Sequence, residues 1–323
     1  MCDMTSWYTS TKELQLTSLE LCIACRNYPT VHLKVDEQIP RRLLATADAP
    51  PPHFKRVCWI CWTRVPWLRA RRVTGNLPTA AELRNPIFAM TDVEYLEFGR
   101  HFEDGLETVA WPQRLKTILF YRSPFNQPIE LVQWPASVQK ITFGADFNQP
   151  IEGIEFPASL QQLIFVTYSS FNQSIAGAIL PTSPRLLELG ADFNQPIEDV
   201  VWPGSLQQLT FGTRFNQPIE GVLWPDSLQK LIFGIDFNQP VDNVRWPASL
   251  QALTFGWFRD FPGSGKQLYS LFDQPIGSSV WPASLRRLTL GHTFRHSLEG
   301  HWALGCQTSK KFSSQLLTFS CRC

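Results

Sequence analysis

A five-residue phrase, Phe-Asn-Gln-Pro-Ile in its fullest form, occurs eight times between Phe125 and Leu298, either complete or with substitutions. Most neighbouring copies lie 22 residues apart. A chain with a short fixed period folds as a stack of similar coils, because one unit alone is too small to bury its apolar face. The period therefore predicts a solenoid, a class of fold that commonly offers a binding surface.

The unit at residues 206–225 shows how one coil is built. Leu209 and Phe211 are two residues apart, so they point to one face of a short strand, whereas Gln208 and Thr210 point to the other. The pattern predicts a strand with one side in the core and one side open.

Gly212 follows this strand, and we expect it to adopt a positive φ in a tight turn. From Phe215 the residue before proline, Trp224, is nine positions on, and this offset is the same in every coil. Length varies only between the strand and the phenylalanine, most of all in an insertion at residues 257–269. We therefore predict a rigid arc and a turn that tolerates insertions.

The fold class predicted is mainly β, with about nine coils of 22 residues and one parallel sheet. An irregular or partly disordered region, residues 1–92, precedes a solenoid at residues 93–303, and residues 304–323 form a degenerate cap or tail. The first strand is expected near Val93, and a last echo of the strand pattern at Leu317–Phe319. A decayed terminal coil is typical of a cap.

The phrase at Phe193–Ile197, the Leu180-Pro181 pair and the strands resemble the FNIP repeat, a relative of leucine-rich repeats. The resemblance covers about two thirds of the chain and implies a leucine-rich-repeat-like solenoid without known catalytic residues. It departs from the family where tryptophan replaces leucine before most prolines, and where Ser174 and Asp273 interrupt the phrase.

Two further expectations rest on this resemblance. The asparagines of the phrases are expected to form a ladder of amides bonding the turn backbone between coils, or alternatively a polar strip that binds a ligand: Asn126, Asn148, Asn172, Asn194, Asn216 and Asn238. Some proteins of the family also carry an F-box that recruits ubiquitin ligases, which implies an adaptor as one possible function. No F-box pattern is evident in residues 1–92.

The outward positions of the strands are the candidate binding site. They form two columns, one on each side of the second strand leucine, with a mixed and nearly neutral character that suits a protein better than a phosphate backbone. Ordinary solvated β-formers are the alternative interpretation. The residues predicted to bind a partner are Lys140, Thr142, Gln162, Ile164, Gln208, Thr210, Lys230, Ile232 and Arg287.

Two Cys-x-x-Cys pairs, Cys22 with Cys25 and Cys58 with Cys61, are candidate zinc ligands in the N-terminal region. The interval between the pairs exceeds that of a zinc ribbon, so incidental or buried thiols are the favoured interpretation. We predict no cofactor.

The chain has a net charge of +1, which gives no overall attraction to nucleic acid. Arginines with interleaved tryptophans could contact single strands locally, and the alternative is a solvated helix: Arg64, Arg69, Arg71 and Arg72 with Trp62 and Trp67. Residues 1–10 lack the features of a secretory signal, and no apolar stretch is long enough to span a bilayer, so we predict a cytoplasmic protein without a membrane span.

No catalytic constellation is recoverable. His292, His296, His301 and Cys306 match no hydrolase or metal motif, and the Gly-Ser-Gly-Lys at residues 263–266 lacks the first glycine of a phosphate loop. We therefore predict a non-catalytic scaffold that binds a protein along its strand face. The alternative is an adaptor whose N-terminal region recruits ubiquitin machinery or binds zinc while the solenoid selects a substrate.

Overall fold

The computed structural model describes residues 57–58, 72–74, 93–261, 265–277, 279–291, 293–296 and 317–320. Every regular element in these ranges is a β-strand. The strands are β1 Val57–Cys58, β2 Arg72–Thr74, β3 Tyr95–Glu97, β4 Thr117–Leu119, β5 Lys140–Phe143, β6 Gln162–Phe165, β7 Leu186–Glu188, β8 Gln208–Thr210, β9 Lys230–Phe233, β10 Ala252–Phe255, β11 Trp257–Phe261, β12 Gly265–Tyr269, β13 Arg287–Leu290 and β14 Leu317–Ser320.

One sheet runs the length of the array, in the order β1 to β10, then β13 and β14. The nine repeat strands, β3 to β10 and β13, are parallel and pair position for position, as Leu209 does with Leu231. The predicted solenoid with about nine strands in one parallel sheet is confirmed. The strand at Leu317–Ser320 differs from the repeat strands in running antiparallel to β13.

Phenylalanine rings fill the interior in two adjacent stacks. Within one coil Phe211 and Phe215 have ring centroids 4.0 Å apart, and both are completely buried. The Phe215 stack is continuous, with 5.9–6.3 Å between successive rings: Phe102, Phe125, Phe147, Phe171, Phe193, Phe215, Phe237, Phe272 and Phe294. The Phe211 stack is interrupted where Leu189 replaces phenylalanine, and it ends at Phe255, because Leu290 occupies this position in the last repeat strand.

The spacing of these rings indicates which way the array bends. Neighbouring strands lie about 4.8 Å apart in a sheet, whereas Phe211 and Phe233 at the strand ends are 5.5 Å apart. Phe215 and Phe237, beyond the turn, are 6.0 Å apart. Because the coils are closest together at the strands, the sheet lies on the concave side.

The asparagine of each phrase joins its coil to the next. Asn216 Oδ1 accepts hydrogen bonds from the backbone N–H of Asn238, at 2.9 Å, and from Gln239 Nε2, at 3.1 Å. The same pair of bonds recurs from Asn126 to Asn238, so the predicted amide ladder is confirmed. In the phrase that begins at Phe272, Asp273 replaces the asparagine. In the next phrase His296 Nε2 donates to the Asp273 carbonyl oxygen at 2.9 Å, where glutamine donates in other coils.

A second ladder lies just before the strands. Ser227 Oγ donates to the carbonyl oxygen of Leu206 in the preceding coil, at 2.7 Å. Its signal in the sequence is a Pro-x-Ser pattern in each of these coils. The serines that donate in this way are Ser137, Ser159, Ser183, Ser205, Ser227, Ser249 and Ser284.

The role predicted for Gly212 is wrong. Within the described residues only Gly153, Gly221 and Gly256 have positive φ values. A Cβ on Gly212 would instead overlap the carbonyl oxygen of Gly190 in the coil before, and one on Gly234 would overlap that of Gly212. Glycine ends these strands because neighbouring coils approach too closely for a side chain.

Coils with a longer connection between the strand and the phenylalanine have a buried serine near the end of that connection. Ser123, Ser169 and Ser270 each lie two residues before the phenylalanine of the phrase and accept a hydrogen bond from its backbone N–H. The insertion at residues 257–269 forms an antiparallel hairpin of β11 and β12, separate from the main sheet. It begins at Gly256, whose φ is 119°.

We expect Asn216→Ala to destabilise the fold by about 2 kcal/mol, because two donors in the next coil lose their acceptor. Asn243→Ala, at an exposed turn position, is the matched control and should change stability by less than about 0.5 kcal/mol. Urea denaturation followed by circular dichroism measures both. Equal stabilities for the two variants would contradict the role of the ladder.

Gly212→Ala should cost about 2–3 kcal/mol, because its methyl group has to push two coils apart. Gly204→Ala provides the control, since nothing lies within 4 Å of the added carbon. Thermal denaturation of both variants compares them directly. A Gly212→Ala protein as stable as the Gly204→Ala protein would show that the coils can separate without cost.

Candidate functional site: the concave strand face

The parallel register places the predicted site residues in two columns on the concave sheet. Lys140, Gln162, Gln208, Lys230 and Arg287 share the first column, because each pairs with the residue at the same position of the next strand. The second column, two residues further along each strand, contains Thr142, Ile164, Thr210 and Ile232. The structure therefore brings all the predicted site residues onto one face.

The two columns differ in exposure. In the first, Lys230 and Arg287 are exposed, and Lys140, Gln162 and Gln208 are half-buried. In the second, Ile164 and Ile232 are half-buried.

The expectation that both columns are open is wrong for Thr142 and Thr210, which are only 6% and 3% exposed. Each threonine lies beside the larger side chain of a neighbouring strand, Ile164 beside Thr142 and Ile232 beside Thr210. On a concave surface such neighbours cover a small residue.

Glu188 lies at the centre of this face, in the second column between Ile164 and Thr210. Its side chain is half-buried, and no donor in the described part of the chain bonds its carboxylate. Burial raises the pKa of Glu188 above its ordinary value, and the charges of Lys140 and Lys230 partly oppose this effect. The sequence placed Glu188 in the outward column but contained no sign of its desolvation.

Polar groups at the N-terminal end of the sheet are paired with each other. Tyr95 Oη donates to Glu97 Oε2 at 3.3 Å, and Lys116 Nζ forms an ion pair with Glu94 at 3.1 Å. In the middle of the face, the side chains of Lys140, Glu188 and Lys230 form no hydrogen bond or ion pair with any other described residue. The middle of the face therefore offers polar side chains that no other described residue bonds.

A second surface feature lies outside the strand face, two positions before the proline that follows the arc of each coil. Ile179, Val201 and Leu223, in three consecutive coils, are 60%, 82% and 78% exposed, and Val280 is 81% exposed. Arg245 interrupts this apolar column. Sequence analysis missed it because the exposed residue alternates with buried ones such as Val200 and Trp202.

Candidate chemistry elsewhere is mostly outside the described residues. Cys22, Cys25 and Cys61 are among those not described, and of Cys58 only the main chain is, in β1. The arginine and tryptophan cluster also falls outside, apart from the backbone of Arg72 in β2. Within the described ranges no three histidine, cysteine, aspartate or glutamate side chains are grouped to hold a metal ion.

His296 belongs to the amide ladder, as described above, while His292, His301 and Cys306 are not described. Among the residues that the structure describes, no helix is long and apolar enough to cross a membrane.

A stack of strands and arcs with a continuous parallel sheet defines a leucine-rich-repeat-like solenoid. The family model of the FNIP repeat matches residues 125–168, 171–214 and 215–258. These residues therefore match the FNIP repeat, as the phrase and its spacing predicted.

Comparison with solved structures finds partial similarities. CroV588, described as a novel circular LRR protein, is 31% identical over 73% of this chain and 39% of its own length, with a TM-score of 0.44. An internalin from Listeria monocytogenes str. 4b F2365 is 10% identical over 60% of this chain and 62% of its own, with a TM-score of 0.37.

YopM from Yersinia enterocolitica WA-314 is 14% identical over 88% of this chain and 75% of its own, with a TM-score of 0.32. Of these structures, CroV588 is the one with the highest identity, and this chain spans about two fifths of its length. The search of curated protein sequences found no match for this chain.

We expect Glu188→Gln to stabilise the protein at neutral pH. A carboxyl whose pKa is raised by folding binds its proton more tightly in the folded state, so stability falls as pH rises from the ordinary value of 4.5 through the raised one. The gain should disappear below pH 4.5, where Glu188 is protonated in both states. Glu220→Gln, at an exposed position, is the control.

Thermal denaturation across this pH range tests the expectation. A Glu188→Gln protein whose melting temperature equals that of the unmodified protein at neutral pH would mean that Glu188 carries no desolvation penalty.

Proposed function

We propose that the protein is a non-catalytic scaffold that binds a protein partner along the concave strand face. The observation that carries this proposal is the middle of the face, where half-exposed charged and amide side chains bond no other described residue. These groups lie on a rigid sheet, beside half-buried isoleucines. A mixed polar and apolar surface of this kind is typical of protein interfaces.

Charge argues against a nucleic-acid ligand for this face. The chain has a net charge of +1, and the cations Lys140 and Lys230 lie on either side of the carboxylate of Glu188. A phosphate backbone requires several clustered cations without such an anion among them. A protein surface that carries both positive and negative side chains complements these charges better than a phosphate backbone does.

The adaptor and zinc-binding alternative concerns residues 1–92, most of which lie outside the described part of the chain. It stays a prediction, as does the division into residues 1–92, 93–303 and 304–323. A cytoplasmic location is likewise proposed from the sequence alone.

The test uses the full chain as bait and compares two charge-reversed variants. Lys140→Glu with Lys230→Glu changes the strand face, whereas Arg122→Glu with Arg245→Glu makes the same change of net charge at exposed positions away from it. Quantitative mass spectrometry measures which proteins each bait captures. We expect one or more partners to fall by about 10-fold or more with the first variant only.

Circular dichroism should show that both variants remain folded, because none of the four side chains forms a hydrogen bond or ion pair with another described residue. If every partner is retained by the strand-face variant, or lost equally from both, the strand face is not the binding site.

A further inference from the structure

We propose that the middle of the strand face, from β5 to β9, binds an extended segment of a protein that presents one basic side chain between two acidic ones. This inference rests on the proposed use of the strand face for binding and specifies the chemistry of the partner. It is carried by the placement of three charges, Lys140, Glu188 and Lys230, and by their lack of partners.

The three charges lie at regular intervals across the sheet. Lys140 is on β5, Glu188 on β7 and Lys230 on β9, so each lysine is two strands away from the glutamate. Two strand intervals correspond to about 10 Å. The two lysines share the first column, whereas Glu188 lies in the second column, two residues further along its strand.

An extended peptide laid across the strands matches this arrangement. Three residues of extended chain also span about 10 Å, so residues i, i+3 and i+6 reach the three coils in turn. Side chains alternate in an extended chain, so residues i and i+6 project to one side and residue i+3 to the other. Acidic residues at i and i+6 would meet the lysines, and a basic residue at i+3 would meet Glu188.

The carboxylate of Glu188 is the strongest sign of a missing partner. It is half-buried without a donor in the described part of the chain, and burial raises its pKa, so in the free protein its charge is poorly compensated. A desolvated charge without a hydrogen bond costs free energy that an incoming cation recovers. By contrast, Glu94 and Glu97 at the N-terminal end of the sheet already have donors.

The residues between the charges provide the remaining contacts. Gln162 and Gln208 lie in the lysine column on the two intervening strands, and neither side-chain amide bonds another described residue. A primary amide both donates and accepts, so each can bond the main chain of a bound segment. Ile164 and Ile232, half-buried in the second column, add apolar surface beside it.

The same charges disfavour a second copy of this chain as the occupant. The first column reads Lys140, Gln162, Leu186, Gln208 and Lys230, which is symmetric about Leu186. A two-fold axis at Leu186 that packed two such faces with antiparallel columns would bring Lys140 of one copy to Lys230 of the other, and the two Glu188 side chains together. Like charges in these positions destabilise the pairing.

The experiment is a selection from a display library of random linear peptides long enough to cross β5 to β9, made on the full chain. Three baits are compared: the unmodified protein, a reversed face with Lys140→Glu, Glu188→Lys and Lys230→Glu, and the Arg122→Glu with Arg245→Glu control. We expect the unmodified and control proteins to select peptides with acidic, basic and acidic residues at i, i+3 and i+6. The reversed face should select the opposite order.

Binding of individual selected peptides is then measured by fluorescence anisotropy. A peptide selected on the unmodified protein should bind the reversed face at least about 10-fold more weakly and the control unchanged. If the reversed face does not fold, Glu188→Gln replaces it in this measurement. Glu188→Gln should lower the affinity for peptides with a basic residue at i+3, and it should leave unchanged the affinity for variants of those peptides with a neutral residue at i+3.

The outcomes separate this inference from the proposed function. Peptides that bind the unmodified protein and lose binding to Leu186→Arg without any preferred charge order would overturn the inference while leaving the strand face as the binding site. Failure to select any peptide would also overturn the inference. In that case the capture of partners by the full chain would still test whether the strand face is a binding site. Peptides indifferent to every strand-face variant would contradict both.

Two other occupants are tested in parallel. Sedimentation of the unmodified and reversed proteins measures self-association, and anisotropy with a single-stranded oligonucleotide measures nucleic-acid binding. Either activity, if abolished by Leu186→Arg, would assign the face to that ligand and overturn the inference.

Discussion

The hydrogen bonds accepted by the phrase asparagines hold the coils in register on the side away from the sheet. Sheet hydrogen bonds join neighbouring coils only along strands of three or four residues. Elsewhere the backbone of one coil needs acceptors from another, and Asn216 Oδ1 supplies one to Asn238 N–H. Because buried or half-buried donors are costly without acceptors, this ladder and the serine ladder before the strands allow a narrow sheet to support a long stack.

The same stacking sets the shape of the surface that is left open. Large aromatic rings separate the coils more widely at Phe215 and Phe237 than at the strands, so the sheet is concave. Concavity brings outward side chains together, covering Thr142 and Thr210 and leaving Glu188 half-buried. The burial of side chains on this face is thus a consequence of packing on its opposite side.

Much of this architecture could be predicted from the repeated phrase. A constant offset from Phe215 to Trp224 in every coil requires the same arc in every coil, and identical coils stack position on position. The strand count and the two columns followed from that regularity, and the amide ladder was implied by the resemblance to the FNIP repeat. Failures occurred where the outcome depended on the distance between coils: Gly212 was assigned a positive φ, but it is glycine because Gly190 lies against it.

The sequence by itself determined the period, the direction of each strand side chain and the neighbours of each residue in the coils before and after, because these depend only on equal spacing. It also placed Lys140, Glu188 and Lys230 on one face. Only the tertiary structure decided how far each side chain is buried and which polar groups pair, as Tyr95 does with Glu97 and Glu188 does not. Burial and pairing depend on the curvature and separation of whole coils, which the aromatic stacks set collectively and no single repeat encodes.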